Sequence, residues 1–257
     1  MRERFSIIVL FLLAFFIRFY GIERESLWLD EIGQVVVAKN SWRLTITQAA
    51  THAGSAPLDY LVTHFLLQFG QSEGILRLGP VLWGALSVVV TYSLGKSVFD
   101  RAVGSVAALM LLFTPIHVYY SREVRFYSLA VLLALATTWI FQWALKVPTA
   151  KRRWLLYAVV LCLGWYSHYY IGVVAGMQGI WLALKVWRNK AIPRRTFWYF
   201  VAATGSALLL FVPWIIYDNF ILQSPGGQSF RFPSLNYLLS APFSHSLLLP
   251  SRRQGSW

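Results

Sequence analysis

Two carboxylates stand side by side in "ESLWLDEIGQ", residues 25–34: Asp30 and Glu31. A carboxylate can act as a general base if it is ionised near pH 7 and within hydrogen-bond reach of the proton it takes. It can equally cap a helix, because an Asp at a helix start accepts backbone N–H bonds. Successive residues on a helix point about 100° apart, so the two cannot face each other and share a proton. One is expected to face a site and the other to support the fold.

A second group lies in "YYSREVRFYS", residues 119–128. Arg122 and Arg125 are three apart, so a helical turn would put them on one face. Arginine offers a rigid fork of donors that matches phosphate oxygens, which makes the pair a candidate phosphate clamp. Generic lipid-headgroup binding is the plainer alternative. Glu123 could orient one of the arginines, and Tyr127 stands with Tyr119, Tyr120 and Phe126 in an aromatic surface of the kind found at membrane interfaces. His168 in "WYSHYY" and Asp59 in "PLDYLVTHFLLQF" are further candidates for substrate contact. The other histidines, His52, His64, His117 and His245, show no metal-ligand spacing, so no metal centre and no cofactor are expected. Asp218 reads as a cap or a snorkelling side chain at the end of the last apolar run.

These groups need elements to hold them, and composition says which. The 257 residues are 57% hydrophobic and only 13% charged, with mean hydropathy +0.55. That is about half the charge of an ordinary soluble domain. Net charge +13 would suit a nucleic-acid binder in a polar chain, but here it reads as charge at membrane surfaces. The single cysteine, Cys162, excludes an intrachain disulfide. Seven apolar spans are expected, near 5–22, 78–95, 102–120, 126–145, 154–170, 171–187 and 197–217. The first follows "MRER" without a small-residue cleavage site and reads as an uncleaved anchor. The stretch 57–69 is too short and polar to cross and suits a helix lying in the interface. The fold class expected is therefore an all-α integral membrane protein. It forms one polytopic domain over 1–257, with a first outer loop near 23–77 and an outer C-terminal tail near 218–257.

Orientation follows from basic residues. With the N-terminus inside, thirteen of the 23 Lys and Arg fall on the inner face, opposed there only by Glu3 and Asp100. The inner loops are short, where the positive-inside rule applies best. A multi-pass protein of the cell membrane with a cytoplasmic N-terminus is expected, and Asp30, Glu31, Asp59, Arg122, Arg125 and His168 then gather on the extracytoplasmic side.

In order along the chain, "SLWLDE", "APLDYLVTHFLLQFG", "RLGPVLWG", "TPIHVYYSREVRFYSL", "WYSHYYIGVVAGMQ" and "FVPWI" resemble glycosyltransferase family 39, the GT-C-class relatives of protein mannosyltransferases and aminoarabinose transferases. The resemblance runs from about residue 5 to about residue 220. It implies transfer of a sugar from a polyprenyl-phosphate carrier to an extracytoplasmic glycan, lipid or protein acceptor. It places Asp30 at the catalytic acid position with Glu31 completing the pair, and Arg122 and Arg125 beside the donor phosphate. The chain departs from the family's His-Pro-Pro-Leu-Tyr-Tyr: Ser55 stands for the histidine and Asp59 for a tyrosine. Some relatives have Asp where Tyr127 stands. Members continue through further spans, so an N-terminal portion of the family's length is expected.

The inferred chemistry is direct, inverting displacement at the anomeric carbon, with Asp30 as base. The alternative from another class is a non-catalytic lipid-carrier binding or assembly protein. A transporter fits less well, because transporters place charges at the midplane and here the distinctive charges lie at the outer face.

Overall fold

The structure is a computed structural model that describes residues 2–51, 56–188 and 192–222. Ser55, His52, His245 and the expected outer tail beyond residue 222 lie outside the described residues. Those described form eleven helices and no strand. The chain is an all-α membrane protein, as the composition requires.

In chain order the helices are α1 (Arg2–Phe19), α2 (Leu29–Ala38), α3 (Trp42–Thr51), α4 (Pro57–Leu66), α5 (Glu73–Val98), α6 (Arg101–Phe113), α7 (Pro115–Tyr120), α8 (Tyr127–Lys146), α9 (Lys151–Ser167), α10 (Ile171–Arg188) and α11 (Arg194–Leu222). Each expected apolar span has a helix over it. Three helices, in α5, α8 and α11, are long and apolar enough to cross a membrane, and α1 and α6 carry shorter apolar runs. The outward faces of α1, α6, α10 and α11 carry large apolar side chains such as Phe16, Val106, Met177, Leu209 and Ile216, each more than half exposed. In water such a surface would aggregate; in a bilayer it is solvated by lipid.

Two boundaries differ from expectation, each for a local reason. The third span is broken: α6 stops at Phe113 and α7 restarts at Pro115. A residue before proline is pushed out of the helical region, and Thr114 sits at φ −65°, ψ 113°. The helix over the second expected span, α5, begins at Glu73, five residues ahead of the expected start, because Ser72 caps it by accepting from the Ile75 N–H at 3.4 Å. The segment between α1 and α5, expected as an outer loop over 23–77, is therefore shorter than that range and is itself mostly helical, in α2, α3 and α4. Pro57 opens α4 at a position where a missing N–H costs nothing.

Two cores hold the bundle. Ala14, Ala85, Val88 and Leu112 join α1, α5 and α6. Phe141, Tyr157, Leu161, Phe200 and Phe211 join α8, α9 and α11. Gly95 and Gly104 let α5 and α6 touch backbone to backbone; a Cβ on Gly95 would lie 2.8 Å from the Gly104 Cα. A small third cluster of Val35, Leu76 and Val124 lies under α2. It brings α2, the start of α5 and the 121–126 turn to one end of the bundle.

Candidate functional site

Glu31 ties that end together. The chain is extended at Trp28 (φ −87°, ψ 173°) and then enters α2, so Trp28 is the cap residue and Asp30 is not. An indole has no acceptor for a capping bond. Instead Glu31, in the first turn, reaches back and accepts from the Trp28 N–H at 3.3 Å. Glu31 is fully buried. It also accepts from Arg77 Nε at 3.2 Å, Arg77 Nη2 at 2.8 Å and the Val124 N–H at 2.8 Å. Four donors fill the four acceptor positions of a carboxylate.

Arg77 is equally occupied. Beyond Glu31 it donates from Nη1 to the carbonyls of Ile22 and Glu25, both at 2.8 Å, and from Nη2 to that of Ser26 at 3.4 Å. All five guanidinium donors are used. The Glu31–Arg77 ion pair thus fixes the 22–28 loop, α2, α5 and the 121–126 turn relative to one another. Asp30 is the exposed member of the acid pair, one residue from this anchor, with its carboxylate at the helix N-terminus where negative charge is favoured.

The two arginines of the turn diverge. Residues 121–126 do not continue a helix; a tight bond runs from the Arg125 N–H to the Glu123 carbonyl at 2.7 Å. The single face expected from their spacing is therefore not formed. Arg122 turns to the C-terminus of α1 and donates to the carbonyls of Ile17 (2.8 Å), Arg18 (3.0 Å) and Tyr20 (2.9 Å). These are helix-end carbonyls with no partner of their own. Arg125 turns the other way and lies over the Phe126 ring at 5.6 Å.

A cavity of about 640 Å³ opens at this end, and Trp28, Glu31, Arg77, Tyr119, Arg122 and Glu123 are among its walls. Glu123 is buried, and burial raises its carboxyl above the ordinary range. The charges of Glu31 and Asp30 push the same way, while Tyr119 and Arg125 oppose.

A smaller polar cleft lies beside it, lined by Gln34, Asp59, Tyr60, Arg125, Phe126 and Ser167. Gln34 donates from Nε2 to the Asp59 carboxylate and to Thr63 Oγ1 at 3.0 Å. His168 stacks on Phe126 with ring centres 4.2 Å apart, and burial first, then Arg125, lower its pKa. Tyr127 opens α8 between the two groups, its ring 4.5 Å from those of Tyr120 and Phe126. Glu31, Arg122 and Glu123 line the cavity, with Asp30 next in sequence to Glu31 but not itself in the wall; Asp59 and Arg125 line the cleft, with His168 behind it against Phe126. Among the described residues no three His, Cys, Asp or Glu side chains gather closely enough to hold a metal ion.

Asp59 gives a pH dependence. Burial pushes its carboxyl up from 3.8 to about 6, against the lowering effects of Gln34 and Arg125. The folded protein then keeps a proton that the unfolded chain releases. The stability this lends is fully present below about pH 4 and is lost as pH rises through about 6, a change of about 3 kcal/mol. Asp59→Asn keeps the oxygen that Gln34 binds and removes the titration. Its thermal midpoint in detergent should match wild type at pH 4 and rise above it by pH 7. A difference that stays constant across that range would rule the titration out.

Three polar residues of this end carry no signal in the spacing patterns: Arg77, Gln34 and Arg18. Arg18 is wholly buried near the end of α1, 2.8 Å from His117 Nδ1 and donating to the Ala14 carbonyl at 3.0 Å. The available signal was cost. Arginine within an apolar run is expensive and is kept where it has partners.

Residues 56–217, more than half of the chain, match the family model described as dolichyl-phosphate-mannose-protein mannosyltransferase. The match takes in Asp59, Arg77, the 121–126 turn and His168, and begins after Asp30 and Glu31. No curated protein matches the chain.

Proposed function

The chain belongs to the dolichyl-phosphate-mannose-protein mannosyltransferase family, and from that premise we propose that the cavity at the α2–α7 end is where a polyprenyl-phosphate sugar is held and its sugar transferred. A membrane glycosyltransferase using polyprenyl-phosphate-linked donors is what the family stands for. The finer reading adds residues and stereochemistry. The observation that carries it is the knot of Glu31, Arg77 and Val124, which holds an exposed carboxylate, Asp30, near a cavity with Arg122 in its wall.

In this reading the polyprenyl tail lies among the apolar helices and its phosphate sits at the cavity. Arg122, and Arg125 from the adjoining cleft, offset the negative charge that grows on the phosphate as it leaves. An acceptor hydroxyl or amine attacks the anomeric carbon from the side opposite the phosphate. The new bond forms as the carbon–oxygen bond to phosphate breaks, the acceptor's proton passes to Asp30, and polyprenyl phosphate departs. A single displacement inverts the anomeric centre. The N-terminus is placed in the cytoplasm and the cavity on the extracytoplasmic face of the cell membrane, and the described helices are taken as one polytopic domain.

Membranes containing the chain, supplied with a short polyprenyl-phosphate mannose, should release polyprenyl phosphate and yield a mannosylated product of inverted configuration. Arg122→Ala should weaken donor use by about tenfold, with partial recovery in Arg122→Lys, since a point charge lacks the fork. Donor binding without release, or a product of retained configuration, would defeat the reading.

A further inference from the structure

Glu123 is 5% exposed, and neither of its carboxylate oxygens has a hydrogen-bond partner. Burying a carboxylate without donors is strongly unfavourable, so a native fold keeps one only where something else supplies them. Neighbouring cations do not: the charge of Arg125 draws the Glu123 carboxyl down, but Arg125 Nε and both Glu123 oxygens are without a hydrogen-bond partner. Arg77 shares the cavity wall, but all five of its donors are engaged. Arg122 directly precedes Glu123 in the turn, but its Nε and Nη2 are turned to α1 carbonyls. The Tyr119 hydroxyl is near enough for each group to shift the other's titration, yet the pair does not meet hydrogen-bond geometry. Glu123 therefore stands in the cavity wall with unused acceptor capacity on both oxygens.

The walls restrict what could fill it. Trp28 and Tyr119 line the same cavity and both are exposed. A flat carboxylate acceptor beside aromatic faces suits a ligand with adjacent O–H groups on one edge and an apolar C–H face on the other. A pyranose ring has both. Two neighbouring ring hydroxyls can each donate to one carboxylate oxygen while the ring's C–H face rests on an aromatic side chain.

We propose that Glu123 is the specificity-determining residue for the transferred sugar, its two carboxylate oxygens accepting from two adjacent ring hydroxyls of the glycosyl group held in the cavity. This rests on the reading of the cavity as the donor site. Glu123 touches the sugar but takes no proton and makes no bond to carbon.

The test measures binding to the full chain in lipid nanodiscs. The probes are a short-chain polyprenyl-phosphate mannose, its deoxy analogues lacking one ring hydroxyl each, and the same polyprenyl phosphate without sugar. Wild type should bind the mannosyl carrier at least about tenfold more tightly than the bare carrier. Two deoxy analogues missing adjacent hydroxyls should lose most of that preference. Glu123→Gln keeps the shape but replaces one acceptor with a donor. It should bind both carriers nearly equally, with bare-carrier affinity within about twofold of wild type. If Glu123→Gln retains the sugar preference, the assignment is wrong while the donor site stands. Equal loss of bare and mannosyl carrier binding also counts against it, because Glu123 would then support the phosphate or the fold. If wild type binds neither carrier, the donor site and the assignment fall together. Should Glu123→Gln fail to fold, the wild-type deoxy series decides: equal affinity for all analogues overturns the proposal.

Discussion

Asp30→Asn should lower sugar transfer at least a hundredfold while leaving donor binding close to wild type. A positioned general base contributes about 10²–10⁴-fold, and asparagine cannot accept the acceptor's proton. The substitution is unusually clean at this position. Asp30 lies in the first turn of α2, and the cap position belongs to Trp28. The backbone donor at the cap is already met by Glu31. What Asp30 lends the helix is mainly charge near an N-terminus, about 0.3–1 kcal/mol. An exposed residue with that small a share in folding should tolerate the change, and expression and thermal midpoint should stay near wild type. Chemistry and stability are thereby separated. Turnover within a few-fold of wild type at equal membrane expression would remove Asp30 as base and turn attention to Asp59, the carboxylate of the neighbouring cleft. Glu31 is the weaker candidate, because its four acceptor positions are filled.

The same acid pair shows what a sequence can and cannot disclose. That the two acids would face different ways was legible, since neighbours on a helix do, and Glu31 is buried while Asp30 is exposed. The apolar runs gave the helices, and the short amphipathic pieces gave α2 and α4, because periodicity is local. The break at Thr114–Pro115 was also written locally, in a proline and the residue before it, although apolar continuity masked it. Other features were not local. The expectation that Arg122 and Arg125 share a face depended on a helical turn that residues 121–126 do not form. Distant groups meet each arginine: helix-end carbonyls about a hundred residues earlier for Arg122, and the Asp59 cleft for Arg125. Arg77 is the clearest case. Its partner Glu31 lies 46 residues away, and its other ligands are backbone carbonyls, which every sequence has. No residue type announces them.

Arg77→Met should be the most destabilising single change at this end. Breaking a buried ion pair by removing one partner costs about 3–5 kcal/mol, because the remaining charge stays buried without compensation. Methionine fills similar volume, so little of that loss comes from a cavity. Glu31 would keep only the Trp28 and Val124 N–H groups, and the carbonyls of Ile22, Glu25 and Ser26 would lose their shared donor. The thermal midpoint in detergent should fall by roughly 10 °C, at the 2–4 °C per kcal/mol usual for chains of this size. Glu31→Gln should fall by a similar amount, since it strands the guanidinium instead. The double variant Glu31→Gln/Arg77→Met should recover part of the loss, because neither charge is then left alone, but not all, because the loop carbonyls remain unmet. Less-than-additive loss is the signature of a direct pair. The loss should also reach function differently from Asp30→Asn. Glu31 pins the turn through the Val124 N–H, so releasing it should loosen Arg122, Glu123 and Arg125 and weaken donor binding as well as turnover. Midpoints of both single variants within about 1 °C of wild type would mean that α2, α5 and the turn are held together by apolar contact alone. The placement of Asp30 beside the cavity would then need another cause.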